Sequence, residues 1–326
     1  MALAVALCSG GLDSMLAVRI LQREGFEVEG LHVRTWYHCC QTDAALAAVQ
    51  LGIRLSVVPA GEDYAEVIRR PRFGYGRGAN PCVDCRIYMC RIAKRRMDDA
   101  SADLVVTGEV LGQRPMSQKR RDLDVIEHHS GLEGRLLRPL SAQLLRPTIA
   151  EQQGLVDRRR LCAFSGPGRS GLIQLAAELG IERLPPSSSG CALVHPPFAK
   201  RVRELIQLRP NARRWEFDLL RFGHYRWLDP ITKLVLGRNE AENDRLAALA
   251  DSQPDAEWAL LEPDDFQGPT ALIVGPPSPP ALAAAAAEIA RRSRRVPADA
   301  RLRAADRAGS RRVELAALTG PEVAKK

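Results

Sequence analysis

Apolar runs alternate with amphipathic segments along the first third of the chain. The first run, at residues 2–8, is apolar throughout, which predicts a buried parallel strand. Apolar residues then recur at helical spacing between Asp13 and Glu24, and Gly25 ends the predicted helix. A second helix is predicted at 44–51, and further strands at 28–33, 54–58 and 104–107. This alternation predicts an α/β fold with a doubly wound parallel sheet, which binds ligands at the carboxyl ends of its strands.

The pattern changes after about residue 205. Two segments, 232–250 and 270–290, each combine a short apolar strand, a glycine and a helix, and together they resemble a degenerate internal repeat. They predict a smaller C-terminal α+β domain. We therefore assign residues 1–207 to the first domain and residues 208–326 to the second.

Composition and charge narrow the class of protein. The 326 residues are 45% hydrophobic and 26% charged, which is typical of a soluble globular chain of about two domains. Lysine and arginine (47) outnumber aspartate and glutamate (39), and the net charge of +8 suggests a polyanionic partner such as nucleic acid. Arginines recur between residues 291 and 312, where they form either a solvated helix face or an RNA-facing strip.

Cellular location follows from what the chain lacks. No apolar run reaches the roughly 20 residues of a membrane span, and the N-terminus has no basic region typical of a signal peptide. We therefore expect a cytoplasmic protein with no membrane partner. In that compartment the eight cysteines are expected to be metal ligands or catalytic thiols rather than disulfides.

A glycine-rich loop joins the first predicted strand to the first helix, with the sequence Ser9-Gly10-Gly11-Leu12-Asp13-Ser14. Its glycines let successive N–H groups converge on an anion, and the helix start adds partial positive charge. The serine hydroxyls add donors, and Asp13 is placed to hold Mg²⁺ beside phosphates. Neither the Walker A ending nor the GxGxxG spacing is present, so the loop predicts another kind of phosphate site, the alternative being an ordinary glycine-rich turn.

Three cysteines form a second candidate site. Cys82 and Cys85 make a CxxC pair at the start of a predicted helix, where we expect nearby N–H groups to lower the pKa of both thiols. Cys191 follows a second glycine-containing loop and would complete a three-thiolate site with one open metal position, suited to iron–sulfur or zinc. Unrelated buried thiols are the alternative. The cysteines left without a role include Cys39, Cys40, Cys90 and Cys162.

The loop sequence SGGLDS resembles the signature of the PP-loop ATP pyrophosphatase superfamily. The resemblance implies an adenine-nucleotide α-hydrolase fold, with cleavage of ATP between the α and β phosphates. Members adenylate a carbonyl oxygen, release pyrophosphate and let a nucleophile displace AMP. Their acceptors range from tRNA bases to small acids, so the loop identifies ATP and leaves the acceptor open. The residues implied to bind ATP or border the adenylate are Ser9, Gly10, Gly11, Asp13, Ser14, Thr107 and Gly108.

The order SGGxDS, NPCxxC and SSGC resembles the tRNA-thiolating branch of that superfamily. A cysteine at the first position of the pair is similar to members that depend on a 4Fe-4S cluster, which implies that Cys82, Cys85 and Cys191 are cluster ligands. The alternative is a persulfide on Cys191, with Cys85 as its exchange partner and no cluster. The catalytic residues implied are Asp13, Cys85 and Cys191, and the sulfur donor is sulfide or a cysteine desulfurase.

The rear of the chain carries a second resemblance. The sequence GHYRW at 223–227, with GRN and ND motifs between 237 and 244, is similar to the RNA-binding domain of NFACT-type proteins. The resemblance implies that Lys233 and Arg238 contact phosphates and that Tyr225 or Trp227 stacks on a base, a core position being the alternative for the tryptophan. Beside the nucleotide crevice, the predicted contacts to RNA or to AMP phosphate are Arg114 and Lys119.

Together these features predict an ATP-dependent tRNA sulfurtransferase that adenylates a uridine carbonyl oxygen and replaces it with sulfur, with 4-thiouridine slightly favoured. The alternatives are a 2-thiouridine or 2-thiocytidine synthase, a PP-loop enzyme with a small-molecule acceptor, and a non-catalytic RNA-binding protein with a structural metal. The expected cofactors are ATP, Mg²⁺ and a 4Fe-4S cluster. The expected partners are tRNA and the sulfur donor, and the sequence leaves a homodimer open.

Overall fold

The computed structural model describes residues 2–37, 41–185 and 190–319. Contacts within the chain divide it into two units, Met1–Lys200 and Arg201–Lys326. The division falls inside a helix, Pro196–Leu208, a few residues before the boundary expected from the sequence.

A parallel sheet organises the described part of the first unit. Its strands are β1 (Leu3–Leu7), β2 (Glu27–Arg34), β3 (Arg54–Pro59), β4 (Leu104–Thr107) and β5 (Leu136–Leu137). They lie in the order β3-β2-β1-β4-β5, all parallel. Strand order reverses between β1 and β4, so the crevice at the carboxyl ends of these two strands is the expected ligand site. The predicted doubly wound fold is confirmed.

Helices flank this sheet on both faces. They are α1 (Leu12–Arg23), α2 (Gln41–Leu51), α3 (Tyr64–Arg69), α4 (Cys82–Asp99), α5 (Arg120–Ser130), α6 (Ile149–Gln152) and α7 (Ser170–Glu178). The next helix, α8 (Pro196–Leu208), contains the boundary between the two units. Alternate residues of β1 face opposite sides, so Ala4 packs in the core that contains α1 and Val5 packs in the core that contains α4. Burial on both faces explains why β1 is apolar without interruption.

An antiparallel sheet organises the second unit. Its strands are β6 (His224–Trp227), β7 (Lys233–Leu236), β8 (Trp258–Pro263), β9 (Ala271–Val274), β10 (Arg301–Asp306) and β11 (Gly309–Glu314), in the order β11-β10-β8-β9-β7-β6. Its helices are α9 (Arg214–Asp218), α10 (Glu240–Asp251), α11 (Pro279–Arg292) and α12 (Leu315–Thr319). The prediction of a smaller α+β domain is confirmed.

The two predicted strand–glycine–helix segments are β7 with α10 and β9 with α11. Their helices cover opposite faces of the sheet: Leu246 of α10 packs with Val235 and Leu272, whereas Ile289 of α11 packs with Leu234 and Ile273. In the described part of the chain, no helix combines the length and apolar character needed to cross a membrane.

Candidate active site

The predicted phosphate loop lies between β1 and α1, at the point where the strand order reverses. Gly10 has a φ of +80°, and a Cβ added there would lie 2.3 Å from the carbonyl carbon of Asp43, so no side chain fits. The Ser9 hydroxyl accepts a hydrogen bond from Gly11 N (3.3 Å), and the Ser14 hydroxyl donates to Gly11 O (2.8 Å). These bonds fold the loop over the start of α1, where helix N–H groups have no partner within the helix.

Asp13 occupies the first turn of α1. Its Oδ1 atom is buried and, among the described residues, has no hydrogen-bond partner. A carboxylate oxygen in this state is a ligand of the kind that Mg²⁺ prefers, so the site fits the predicted ion.

The end of β4 closes the other side of the crevice. Thr107 is buried, and a Cβ added at Gly108 would lie 2.3 Å from the carbonyl carbon of Asp13. The backbone of Gly108 therefore packs directly on the phosphate loop. The structure brings together the seven predicted nucleotide-binding residues, while their contact with ATP stays a prediction.

The CxxC pair lies in the first turn of α4, with both thiols partly buried. Burial is the main cause that raises the pKa of Cys82 and of Cys85. The expectation that the helix start lowers these pKa values is therefore wrong, because loss of water opposes the thiolate more strongly than the local dipoles favour it. Cys85 Sγ accepts a hydrogen bond from the Tyr64 hydroxyl at 3.1 Å.

Cys191 reaches the same region from a distant part of the chain. The turn that follows it packs on the glycine-rich loop before α4, where Ala79 N donates to Leu193 O at 2.9 Å. The pKa of Tyr64 is raised well above its ordinary value, by burial first and then by Cys85, with Cys191 adding to the effect. Tyr64 thus lies close to two of the three predicted site cysteines.

The predicted three-cysteine metal site finds no support in the arrangement of side chains. Within the described ranges, no group of three or more Cys, His, Asp or Glu side chains is arranged to hold a metal ion. Cys82, Cys85 and Cys191 therefore do not fit a preassembled cluster site as they stand. Cys39, Cys40 and the serines that precede Gly190 lie outside the described residues. The remaining thiols include Cys90, which is buried with its pKa raised to about 12, and the half-buried Cys162.

A buried ionic network, missed by the sequence analysis, connects the two sites. Glu109 is 2% exposed and accepts hydrogen bonds from Arg138 Nε (3.0 Å) and Thr107 Oγ1 (3.1 Å). Arg86, one residue after the CxxC pair, pairs with the same carboxylate at 3.7 Å. Burial alone would raise the pKa of Glu109, but the charges of Arg138 and Arg86 outweigh it and lower the pKa. In the sequence, only its position directly after the predicted site residues Thr107 and Gly108 could have indicated that Glu109 belongs to the site.

Arg114 and Lys119, the predicted contacts to RNA or AMP phosphate, lie in the segment between β4 and α5. Both are exposed, Arg114 in the segment after β4 and Lys119 at the N-cap of α5. The pKa of Arg114 is lowered, first by loss of water and then by the charge of Arg86, while Asp13 opposes this shift. Arg114 therefore lies near the phosphate loop. Its contact with RNA or AMP stays a prediction, as does that of Lys119.

Lys233 lies in the interior of the second unit. It is 2% exposed, and its ammonium group lies 4.7 Å from the ring centre of Tyr225 and 5.6 Å from that of Trp227. Burial lowers its pKa to about 7. This placement contradicts the expected phosphate contact, because a buried ammonium group cannot reach a backbone outside the fold. The same rings are covered by this lysine, and the Tyr225 hydroxyl donates to Glu204 (2.6 Å), so base stacking on them is not supported.

The GRN and ND motifs between residues 237 and 244, on which the NFACT resemblance rests, lie at the end of β7 and the start of α10. Arg238 pairs with Glu242, and Asn239 caps α10 by accepting a hydrogen bond from Glu242 N (3.0 Å). Asn243 Oδ1 accepts from Thr270 N (3.0 Å) and so ties α10 to the start of β9. Arg238 is half-exposed, and a phosphate would share it with Glu242.

Sequence comparisons match each unit to a known family. Residues 2–144 match the family described as Thiamine biosynthesis protein (ThiI), and residues 223–325 match the NFACT protein RNA binding domain. The tRNA-specific 2-thiouridylase MnmA of Cytophaga hutchinsonii is 33% identical over 119 residues, which cover 31% of this chain and 32% of that protein. The Haemophilus influenzae protein of the same name is 27% identical over 180 residues, 47% of each chain. This chain thus spans less than half the length of these relatives.

Among solved structures, a 4-thiouridine synthetase–RNA complex with bound ATP aligns at a TM-score of 0.42 and 18% identity, covering 67% of this chain and 53% of that one. A predicted subunit of tRNA methyltransferase from Methanocaldococcus jannaschii aligns at 0.33 and 17% identity, covering 43% and 70%. The first unit is thus a doubly wound α/β domain with a glycine-rich loop between β1 and α1. The family matches confirm both predicted resemblances: residues 2–144 are similar to the ThiI family, and residues 223–325 are similar to the NFACT RNA-binding domain.

Proposed function

We propose that this protein is an ATP-dependent tRNA sulfurtransferase that adenylates a uridine carbonyl oxygen and replaces it with sulfur. One observation carries the proposal: the cysteine pair and the phosphate loop meet at one edge of one sheet. Arg86 of the cysteine helix pairs with Glu109, and the neighbouring Gly108 packs on Asp13. A glycine-rich loop suited to phosphate and a cysteine pair that are linked in this way suit a reaction in which sulfur displaces AMP.

In the first step, the loop from Ser9 to Ser14 would hold the phosphates through backbone N–H groups and serine hydroxyls. Asp13 Oδ1 would hold Mg²⁺, which would offset the charge of the departing pyrophosphate. The uridine oxygen attacks the α-phosphorus and the α–β bridging bond breaks. The products are the adenylated base and pyrophosphate.

In the second step, we propose thiol chemistry. The terminal sulfur of a Cys191 persulfide attacks the activated ring carbon, and AMP leaves with its oxygen. Cys85 thiolate then attacks the Cys191 sulfur, which releases the thiolated base and leaves a Cys85–Cys191 disulfide for a dithiol reductant to reduce. A cysteine desulfurase would load the persulfide by transferring the outer sulfur of its own persulfide to the Cys191 thiolate. Sulfide would load it by attacking the Cys191 sulfur of the Cys85–Cys191 disulfide, with the Cys85 thiolate as the leaving group. A 4Fe-4S cluster on Cys82, Cys85 and Cys191 is the alternative that the family resemblance implies, and we derive no step through it.

RNA binding would come from the second unit, whose sequence is similar to an RNA-binding domain. The fused RNA-binding module favours 4-thiouridine over a 2-thio product. Exposed arginines in the last third of this unit support contact with a phosphate backbone, because several of them have no acidic partner among the described residues. These are Arg294, Arg295, Arg307 and Arg311.

The test uses purified protein, ATP, Mg²⁺, sulfide and tRNA from a thiolation-deficient strain, with pyrophosphate and thiolated nucleosides as readouts. We expect tRNA-dependent pyrophosphate release and a 4-thiouridine product. Asp13→Asn should lower pyrophosphate release by at least about a hundredfold. Cys191→Ser should keep pyrophosphate release and abolish the thiolated product, whereas Cys162→Ser, our matched control, should keep both.

Each alternative has its own signature in this assay. Pyrophosphate release that ignores tRNA would indicate a small-molecule acceptor, and a harmless Asp13→Asn would indicate a non-catalytic RNA-binding protein. A 2-thio product would correct the position of the sulfur. Iron measured in anaerobically prepared protein, compared with Cys82→Ser, decides between cluster and persulfide.

A further inference from the structure

Arg86 belongs to the cysteine helix and also to the phosphate site. It lies four residues after Cys82 on α4, so both side chains project from the same helix face. Its guanidinium group pairs with Glu109, and Glu109 follows Gly108, whose backbone packs on Asp13. Arg86 therefore lies between the sulfur site and the ATP site.

Glu109 balances the charge of Arg86 but leaves the N–H donors of its guanidinium group unused. Glu109 Oε2 takes the hydrogen bonds from Arg138 and Thr107. The Oε1 atom, which faces Arg86, has no hydrogen-bond partner among the residues the structure describes. The separation of 3.7 Å is longer than a hydrogen bond, so the carboxylate balances the charge of Arg86 and does not take up its N–H donors. The side chain of Arg86 remains 30% exposed.

Arg114 supplies a second guanidinium group at the same place. The charge of Arg86 is, after loss of water, the next cause that lowers the pKa of Arg114, while Asp13 and Cys82 act in the opposite direction. Both arginines therefore lie near the first thiol, Cys82, and Arg114 also lies near the loop carboxylate of Asp13. Two cations held together this way repel each other, and an anion placed between them relieves the repulsion.

We propose that Arg86 and Arg114 form the binding site for the α-phosphate, first in ATP, then in the adenylated base and finally in AMP. The inference rests on the proposed function. The helix start and serine hydroxyls of the loop are left for the β and γ phosphates, which depart as pyrophosphate. The phosphate that stays attached to the base lies nearest the thiols, where these arginines are. Planar guanidinium groups match its oxygens in geometry and charge.

Equilibrium binding of AMP, ATP and inorganic pyrophosphate to the full chain tests this site without tRNA or sulfur. Arg86→Met and Arg114→Met should each raise the Kd for AMP by about tenfold or more and leave the Kd for pyrophosphate within about twofold. Arg86→Lys should recover part of the affinity, because a point charge remains but the planar fork does not. Arg91→Met is the matched control on α4, since Arg91 is exposed and donates to His129 O (3.0 Å).

An unchanged Kd for AMP in both methionine variants would overturn the inference. So would equal weakening of AMP and pyrophosphate binding, because that pattern indicates general damage to the crevice. If Arg86→Met does not fold, Arg86→Lys and Arg114→Met still decide. Failure of the proposed function looks different: nucleotide binding would depend on both arginines while no thiolated tRNA forms.

Discussion

At the scale of single residues, Gly108 links the fold to the chemistry. An added Cβ would lie 2.3 Å from the carbonyl carbon of Asp13, so the backbone of β4 or of the phosphate loop would have to move. We predict that Gly108→Ala destabilises the protein by about 1–3 kcal/mol, as overpacking does, and lowers pyrophosphate release more than tenfold. Chemical denaturation and the pyrophosphate assay measure the two effects.

Gly168→Ala is the control for this prediction, because a Cβ at Gly168 meets nothing within 4 Å and its backbone is not in the left-handed region. If Gly108→Ala and Gly168→Ala have the same effect on the free energy of unfolding and on pyrophosphate release, the close packing of Gly108 on Asp13 matters neither for stability nor for activity.

Another single residue, Lys233, is expected to make the stability of the fold depend on pH. Burial lowers its pKa from the ordinary 10.5 to about 7. Between these values the unfolded chain binds more protons than the folded chain, so the lysine destabilises the fold increasingly as the pH falls from about 10 to about 7. Lys233→Met removes this proton uptake. We predict that, as the pH falls from about 10 to about 7, the free energy of unfolding of the variant increases relative to that of the natural protein. Urea unfolding at several pH values measures this difference.

A constant stability difference between the two proteins from pH 10 to pH 7 would contradict a lowered pKa. Lys119→Met, which removes an exposed lysine at a helix N-cap, is the matched lysine-to-methionine control.

At the scale of elements, the motif between β7 and α10 has a structural explanation. Asn239 caps α10 through a hydrogen bond from Glu242 N at 3.0 Å. We predict that Asn239→Ala lowers the free energy of unfolding by about 1 kcal/mol and that Asn239→Asp costs much less, because aspartate caps equally well. Denaturant unfolding measures both. RNA affinity should not change in either variant; weaker RNA binding by both would instead make this residue an RNA contact.

The elements also show what the sequence could predict. Apolar runs located β1, β2 and β4 because each of these strands is largely buried. β3, the edge strand, is partly exposed, and its apolar residues were still sufficient to predict it. Glycine spacing located the phosphate loop and the strand–helix pairs β7–α10 and β9–α11. The two-residue strand β5 and the six-residue helix α3 have too few residues to leave a periodic signal.

The site was less predictable because it depends on contacts distant in sequence. Tyr64 reaches Cys85 across 21 positions through the placement of α3, and Arg138 reaches Glu109 across 29. Whether a lysine in a strand such as β7 faces solvent depends on the elements that pack against the strand. The sequence alone therefore predicts an exposed Lys233, whereas the structure buries it. The pKa of the cysteines depends on burial, and the helix start alone indicated the wrong direction.

At the scale of the whole molecule, the net charge of +8 is less available to RNA than the composition suggests. Many arginines after residue 290 are neutralised by acids at the end of β8 and on α11: Arg303 pairs with Glu262 at 2.7 Å, and Arg312 with Asp264 at 2.8 Å. The four that have no acidic partner among the described residues, Arg294, Arg295, Arg307 and Arg311, are exposed. If RNA binds here, these four should dominate, because a phosphate need not displace a carboxylate from them.

This distribution of charge predicts a specific salt dependence. Arg294→Gln with Arg295→Gln should weaken tRNA binding and flatten the plot of log K against log salt concentration by about 0.7–0.9 for every phosphate that the variant no longer neutralises. Arg303→Gln with Arg312→Gln, which removes two guanidinium groups that are paired with acids, should flatten it less. Filter binding across a salt series measures both slopes in the full-length chain. Equal slopes for the paired and unpaired variants would mean that RNA affinity depends on the total charge and not on the arginines that lack an acidic partner.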